Sequence, residues 1–151
     1  MLILAGVAQS GKTKTLRQMT VTQGFKQLGR NLFEFNGKLI CIYFGSPQET
    51  PPDRPTDFEG IMKIVNARLK KCESMNSAMI IMAFQIRGIE KPIGHLGLQY
   101  EVHLAYMRKE NAEGIGQINA RMKALGAEEI TSEEDYLKQA NALWAKWKNY
   151  F

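Results

Sequence analysis

The sequence predicts an α/β fold, in which helices cover both faces of a mostly parallel sheet as a three-layer sandwich. Short apolar runs typical of buried strands alternate with segments of helical periodicity along most of the 151 residues. A glycine-bearing loop joins the first apolar run to a helix, and Asn36-Gly37 joins two β-rich runs. Such a pair is a strong hairpin signal, so one strand is expected to be antiparallel. The length favours a single domain over residues 1–151.

The first elements follow from local patterns. Residues 1–5 form an apolar run that ends at a glycine, which is typical of a central strand covered on both faces. Residues 12–23 are predicted to be a helix with Leu16 and Met19 facing the core. Residues 31–35 and 38–44 are the predicted hairpin strands, and the second has the denser apolar run and is expected to lie further inside.

Residues 45–56 hold four of the five prolines and are predicted to be an irregular loop. The loop follows the carboxyl end of a predicted strand, where α/β sheets place ligand sites, so we expect a mobile or substrate-facing segment. Asp57 is suited to cap the next helix. That helix is expected to carry an apolar face made of Ile61, Val65, Leu69 and Cys72.

The second half continues the alternation. Residues 78–84 are predicted to be a buried strand, residues 90–98 a short helix, and residues 100–106 a further strand with His103 in the core. Residues 112–125 are predicted to be helical.

Gly126 is placed to end that helix. Thr131 and Ser132, followed three residues later by acids, are predicted to form a capping box for a last helix. The apolar stripe of the last helix would consist of Tyr136, Ala140, Leu143, Trp144 and Trp147.

Composition narrows the class of ligand. The chain is 44% hydrophobic and 23% charged, with a formal net charge of +5, which suits anionic ligands and is also typical of a globular protein with a mildly basic surface. The basic residues are spread along the chain, and beyond this mild charge nothing supports nucleic-acid binding.

The cysteines and the amino terminus bear on the compartment. Cys41 and Cys72 are far apart in apolar patterns and form no CxxC motif, so buried reduced thiols are expected. Residues 1–8 are apolar but too short for a membrane span, and no basic segment precedes them. We therefore expect a cytoplasmic protein without a membrane partner.

Residues 6–13 carry the clearest chemical signal. Gly6-Val-Ala-Gln-Ser-Gly11-Lys12-Thr13 matches G-x-x-x-x-G-K-[ST] at every fixed position. In such a segment the lysine reaches the β- and γ-phosphates and the Thr13 hydroxyl binds Mg²⁺. Backbone amides around the glycines form an anion-binding concavity at a helix amino terminus. The predicted nucleotide-binding residues are Gly6, Gln9, Ser10, Gly11, Lys12, Thr13 and Lys14.

This segment resembles the P-loop NTPase superfamily. The motif covers residues 6–13, and the order of predicted elements is compatible with that fold along the rest of the chain. The resemblance implies a mostly parallel P-loop NTPase sheet, ATP or GTP as bound nucleotide, and Mg²⁺ as cofactor. It also implies phosphoryl transfer to water or to a second substrate.

The chain departs from the superfamily where a second acid normally follows a neighbouring strand. Residues 39–44 are followed by Gly45, and residues 78–84 by Gln85. Glu49 is the nearest acid, and we predict that it shares the metal site with Thr13 or orients water. Asp53 and Asp57 are weaker alternatives.

Three functions remain open. In a kinase-like enzyme, Lys12, Glu49 and Arg108 would be catalytic, with Lys109, Arg54 and Arg87 as further candidate phosphate clamps.

The predicted hairpin at Asn36-Gly37 would supply the antiparallel strand that is typical of small GTPases, and a D-x-x-G motif occurs at residues 57–60. The guanine-reading motif N-K-x-D, however, is absent, and residues 107–110 occupy the corresponding place. A non-catalytic module would use nucleotide to order residues 45–56 for a protein partner. The sequence identifies neither the second substrate nor such a partner.

Overall fold

A computed structural model describes all residues from 1 to 151. The strands are β1 (Leu2–Gly6), β2 (Lys26–Gln27), β3 (Leu32–Phe35), β4 (Lys38–Tyr43), β5 (Met79–Gln85), β6 (His103–Arg108) and β7 (Glu128–Thr131). The helices are α1 (Lys12–Thr22), α2 (Phe58–Ser74), α3 (Glu90–Leu96), α4 (Ile115–Ala124) and α5 (Tyr136–Trp147), and 3₁₀ turns occupy Pro47–Glu49 and Lys148–Tyr150. None of the helices combines the length and the apolar character that crossing a bilayer requires.

The strands form one mixed sheet in the order β2-β3-β4-β5-β1-β6-β7. β4, β5, β1, β6 and β7 are parallel to one another, while β2 pairs with β3 and β3 with β4 in antiparallel fashion. The turn between β3 and β4 has positive φ at Asn36 (50°) and Gly37 (72°), as a tight hairpin turn with matching twist requires. The predicted α/β class and the hairpin are thus confirmed.

Helices cover both faces of the sheet and give three layers. One apolar cluster joins the sheet to α2, α3 and α4 through residues such as Val65, Ile93 and Met122. A second cluster joins the opposite face to α1 and α5 through Leu16 and Trp147. β1 contributes to both clusters, since its side chains alternate between the two faces and all five of its residues are buried.

The sequence did not predict the two edge strands. β2 has only two residues, and β7 reads Glu-Glu-Ile-Thr, with Ile130 as its only buried residue. The predicted capping box at Thr131 is wrong, because Thr131 ends β7 and pairs with Arg108. Asp135 caps α5 instead, and its carboxylate accepts bonds from the amides of Leu137 (3.0 Å) and Lys138 (3.2 Å).

Two predicted boundaries also shift. α4 begins only at Ile115, after Gly114 with φ of 69°. β6 runs over His103–Arg108, further along the chain than predicted, and His103 is half-buried at its start rather than in the core. Asp57 caps α2 as predicted, with a 3.0 Å bond from the amide of Gly60.

The expected reduced thiols are a second correction. Cys41 on β4 and Cys72 on α2 form a disulfide with a Cα–Cα distance of 5.8 Å. The apolar pattern predicted correctly that both are buried. Their separation of 31 residues gave no sign that the face of α2 packs directly over β4.

Candidate functional site

The site lies at the carboxyl end of β1, in the middle of the parallel strands. From β1 the chain passes through α1 to the β2–β4 side of the sheet, and after β5 it passes through α3 to β6 on the other side. Such a change of direction leaves a crevice beyond the strand ends, which is where open α/β sheets bind ligands. Residues 6–13, here called the glycine loop, begin in this crevice and lead into α1.

The backbone of the glycine loop needs both motif glycines. A Cβ atom at Gly6 would collide with the hydroxyl of Ser10. Gly11 has φ of 89°, and a Cβ there would lie 2.9 Å from the ring of Tyr136. Only glycine satisfies both the conformation and the close approach at Gly11.

The loop leaves a row of amides without acceptors. The first backbone bond of α1 is donated by the amide of Thr15 to the Gly11 carbonyl, at 2.8 Å. The amides of residues 11–14 donate to no group within the chain. Unpaired amides and the positive end of the helix dipole favour an anion at this position.

Lys12 adds a full positive charge to the same position. Its side chain is buried with only 5% exposure, and Nζ donates to the Val7 carbonyl at 2.9 Å. Lys12 makes no ion pair. Burial lowers the pKa of Lys12, and the carboxylate of Glu49 partly opposes this shift. The ammonium group is therefore a cation that lacks a bound counter-charge.

A cavity of about 360 Å³ opens on these groups. It brings together most of the predicted site, and its lining residues are Gln9, Gly11, Lys12, Thr13, Lys14, Glu49 and Tyr136. Glu49 therefore lies beside the glycine loop although 36 residues separate it from Thr13 in sequence.

Glutamine side chains hold Glu49 in place. Gln48 is buried, and its amide donates to the carbonyls of Gln85 and Arg87, both at 3.0 Å. The backbone amide of Gln85 donates to Oε1 of Gln48 at 3.2 Å. The Gln85 side chain then donates to Oε1 of Glu49 at 2.7 Å. Thus Gln85, which ends the strand next to β1, positions an acid that the neighbouring loop supplies.

Thr13 and Ser10 face other parts of the protein in this state. The Thr13 hydroxyl donates to the Phe44 carbonyl at 2.8 Å, which ties the start of α1 to the end of β4. Ser10 is buried with its hydroxyl unpartnered, and its carbonyl accepts a 3.0 Å bond from the Ser132 hydroxyl. A metal at Thr13 would require the hydroxyl to exchange its bond to Phe44.

Arg108 is not brought to this cavity. Its guanidinium pairs with Glu110 at 3.0 Å and with Glu129 at 2.9 Å, and Arg108 is not among the residues that line the cavity. Hydrogen bonding from Arg108 lowers the pKa of Glu129. Arg108 thus already has two carboxylate partners within the chain.

The remaining candidates have separate positions. Arg54 and Arg87 line a neighbouring cavity that also includes Glu49. Asp57 serves as the helix cap described above, and Asp53 lies in a different cavity against α2.

The predicted loop over residues 45–56 is anchored in its first half. The Gln48 bonds fix it to β5, and Arg68 on α2 donates to the Gly45 carbonyl (2.8 Å) and to the Thr50 hydroxyl (3.1 Å). Burial lowers the pKa of Arg68 to about 10. These bonds could not be predicted from the sequence, because no spacing pattern of glutamine or arginine marks a contact with a distant element.

Tyr136 is the other residue that the sequence did not assign to the site. It was placed in the apolar stripe of α5, but its ring lines the cavity and Lys14 Nζ lies 5.0 Å from the ring centroid. The buried side chain of Gln139, one turn further along α5, donates to the Thr15 hydroxyl at 3.2 Å. The start of α5 therefore forms a wall of the cavity.

Comparison of the chain with protein-family models, with curated proteins and with solved structures found no match. The functional interpretation consequently depends on the geometry of the site itself.

Proposed function

We propose that this protein is a P-loop enzyme that binds ATP or GTP with Mg²⁺ and transfers the γ-phosphoryl group to a second substrate. One observation carries the proposal: the unpaired amides of residues 11–14, the unpaired ammonium of Lys12 and the carboxylate of Glu49 all face one cavity. The amides and the ammonium group are suited to bind a polyanion, and the carboxylate opposite them is suited to bind the divalent cation that accompanies it.

The triphosphate would lie along the glycine loop. The amides would bind the β-phosphate oxygens, and Lys12 would exchange its bond to the Val7 carbonyl for the β- and γ-phosphates. Because burial disfavours the charged form of Lys12, an anion at this position relieves an unfavourable state of the free protein. Gln9 and Lys14 would complete the ring of donors.

The protein groups fit Mg²⁺. This ion prefers hard oxygen ligands and keeps several waters, so one or two protein oxygens with the phosphates are sufficient. Thr13 and Glu49 supply such oxygens in the same cavity, whereas no larger cluster of metal-binding side chains occurs in the chain. When bound, the metal would neutralise charge on the β- and γ-phosphates.

Transfer to a second substrate is favoured over a GTPase-like switch. Residues 107–110, which occupy the place of a guanine-reading motif, have Arg108 and Glu110 engaged with each other. Asp57 of the D-x-x-G segment caps α2, and it is not among the residues that line the cavity. A further cavity adjoins Glu49, as a second substrate requires.

Isothermal titration with ATP and GTP, each with Mg²⁺, tests the proposal. Wild-type protein should bind at least one of them, and Lys12→Met should abolish binding while Lys70→Met, an exposed lysine on α2, should not. Absence of binding to either nucleotide and to pyrophosphate would contradict the proposal. Binding without phosphate release or transfer to any acceptor would instead support a non-catalytic nucleotide-dependent module.

A further inference from the structure

A second cavity, of about 510 Å³, adjoins the one at the glycine loop. The two cavities share Glu49, and the second also includes Ala8 of the glycine loop. Its other lining residues are Gln48, Arg54, Gln85 and Arg87. A molecule in it would therefore lie next to the end of the phosphate site at which Glu49 stands.

The two arginines of this cavity lack partners within the chain. Neither Arg54 nor Arg87 makes an ion pair, and neither side chain donates a hydrogen bond within the chain. Arg108 and Arg121, in contrast, are paired with Glu129 and Glu90. Two unpaired guanidinium groups beside one cavity are suited to bind a planar or tetrahedral oxyanion.

The backbone beneath both arginines is fixed. The Arg87 carbonyl accepts the 3.0 Å bond from the buried side chain of Gln48. The Arg54 amide donates to the Thr50 carbonyl at 3.0 Å, and Arg54 has φ of 41°. A left-handed backbone at a residue other than glycine costs about 1 kcal/mol and points to a geometric demand at that position.

We infer that the second cavity binds the phosphoryl acceptor, and that this acceptor is a small molecule with a hydroxyl group and a phosphate or carboxylate group. The inference rests on the proposed function. Arg54 and Arg87 would bind the anionic group, which places the hydroxyl towards Glu49 and the γ-phosphate. Two substrates held in this way react as one unit, which removes much of the entropic barrier.

The reaction balances without a further reactant. A bond forms between the acceptor oxygen and the γ-phosphorus, while the bond from that phosphorus to the β-phosphate oxygen breaks. The electron pair of the broken bond stays on the nucleoside diphosphate. The hydroxyl proton passes to solvent water in the open cavity, since Oε1 of Glu49 is bonded to Gln85 and its other oxygen is assigned to Mg²⁺.

Titration of inorganic phosphate and of acetate tests the anion site independently of nucleotide. The Lys12→Met background removes the lysine from the glycine loop but leaves its amides, so the difference in phosphate affinity made by the two arginines is what reports on the second cavity. Adding Arg54→Gln and Arg87→Gln should weaken phosphate or acetate binding by at least about tenfold. Adding Arg30→Gln should leave binding unchanged, because Arg30 is exposed and lies between β2 and β3, at one edge of the sheet. Tighter binding of phosphate than of acetate would indicate an acceptor with a phosphate group. Tighter binding of acetate would indicate an acceptor with a carboxylate group.

Equal affinity in the presence and absence of the two arginines would overturn the inference, and so would a lack of anion binding to the background variant. Melting temperatures of all variants show whether any loss reflects unfolding.

A second measurement decides whether the anion lies next to the nucleotide. Wild-type protein is loaded with Mn²⁺ and a non-hydrolysable ATP analogue, and the ³¹P resonance of added inorganic phosphate is recorded. Paramagnetic broadening should be stronger than in the Arg54→Gln, Arg87→Gln double variant; equal broadening would contradict an acceptor site. If wild-type protein binds no nucleotide, the proposed function and the acceptor assignment fail together, whereas the titration still decides the anion site.

Discussion

Two cations stand at the carboxyl ends of adjacent parallel strands, and their surroundings differ. Lys12 follows β1, is buried and makes no ion pair, while Arg108 ends β6 and pairs with Glu110 and Glu129. Both were predicted from the sequence to bind phosphate. The structure gives Arg108 its counter-charge within the protein and leaves Lys12 without one. A position at a strand end therefore does not by itself leave a cation free to bind a ligand.

The pKa shifts of Lys12 and of Glu129, the partner of Arg108, show the same difference between the two regions. Burial lowers the pKa of Lys12, which means that the folded protein disfavours its charged form. The hydrogen bond from Arg108 lowers the pKa of Glu129, which means that the folded protein favours that charge. A ligand that brings negative charge is therefore expected to stabilise the region around Lys12 and to have little effect around Arg108.

The largest effect is expected for Lys12→Met, because this change removes the unpaired charge and keeps the aliphatic stem. Nucleotide binding should be lost, and the melting temperature without nucleotide at pH 7 should equal or exceed that of the wild type. A lysine whose folded pKa is lowered makes the wild type more stable as pH rises from that pKa to 10.5, so the difference between the two proteins should shrink with rising pH. A variant that melts well below the wild type at pH 7 would show instead that Lys12 is structural.

Glu49→Gln is expected to have the next largest effect. The variant should still fold and bind nucleotide, but its affinity for Mg²⁺ or its turnover should fall by about 10- to 100-fold, as for other groups around a metal. Mg²⁺ titrations of phosphoryl transfer measure the change. Asp53→Asn serves as the matched control, because Asp53 lies on the same loop but lines a different cavity. An equal loss in both variants would argue against a specific role for Glu49.

Gln48→Ala should act on stability first. It removes three buried hydrogen bonds to the backbone of Gln85 and Arg87, and we expect a loss of about 1–3 kcal/mol in the free energy of unfolding. Urea denaturation measures this loss, with Gln99→Ala as an exposed control. Nucleotide turnover should also decline in the folded variant, since Glu49 loses its support. Unchanged stability would mean that Gln48 does not anchor the loop.

The smallest effect is expected for Arg108→Gln. Nucleotide affinity should change by less than about twofold, because Arg108 does not line the cavity and a partly exposed ion pair contributes little. The wild type should melt slightly higher at neutral pH. Since the folded pKa of Glu129 is lowered, this advantage is present above the ordinary glutamate pKa of 4.5 and lost as pH falls through the lowered value. A large loss of nucleotide affinity would contradict this expectation and indicate that Arg108 takes part in nucleotide binding.

Sequence periodicity predicted most of the fold, because buried strands and amphipathic helices carry strong patterns. β7 escaped prediction since an edge strand with one buried residue has no apolar run. The Cys41–Cys72 disulfide escaped since pairing depends on how α2 packs on β4.

The motif at residues 6–13 could be recognised from the sequence because its residues are adjacent in the chain, and the nucleotide binding that it indicates stays a prediction. Glu49 could be selected only as the nearest acid. The contact that fixes it comes from Gln85, which lies 36 residues away in sequence and meets it only in the folded protein.

The most direct test of the account is calorimetric titration of wild-type protein and Lys12→Met with ATP and with GTP in the presence of Mg²⁺. The account predicts saturable binding of at least one nucleotide to the wild type and none to the variant, while the variant without nucleotide melts at or above the wild-type temperature. Equal binding by the two proteins, or no binding by a folded wild type, would contradict it.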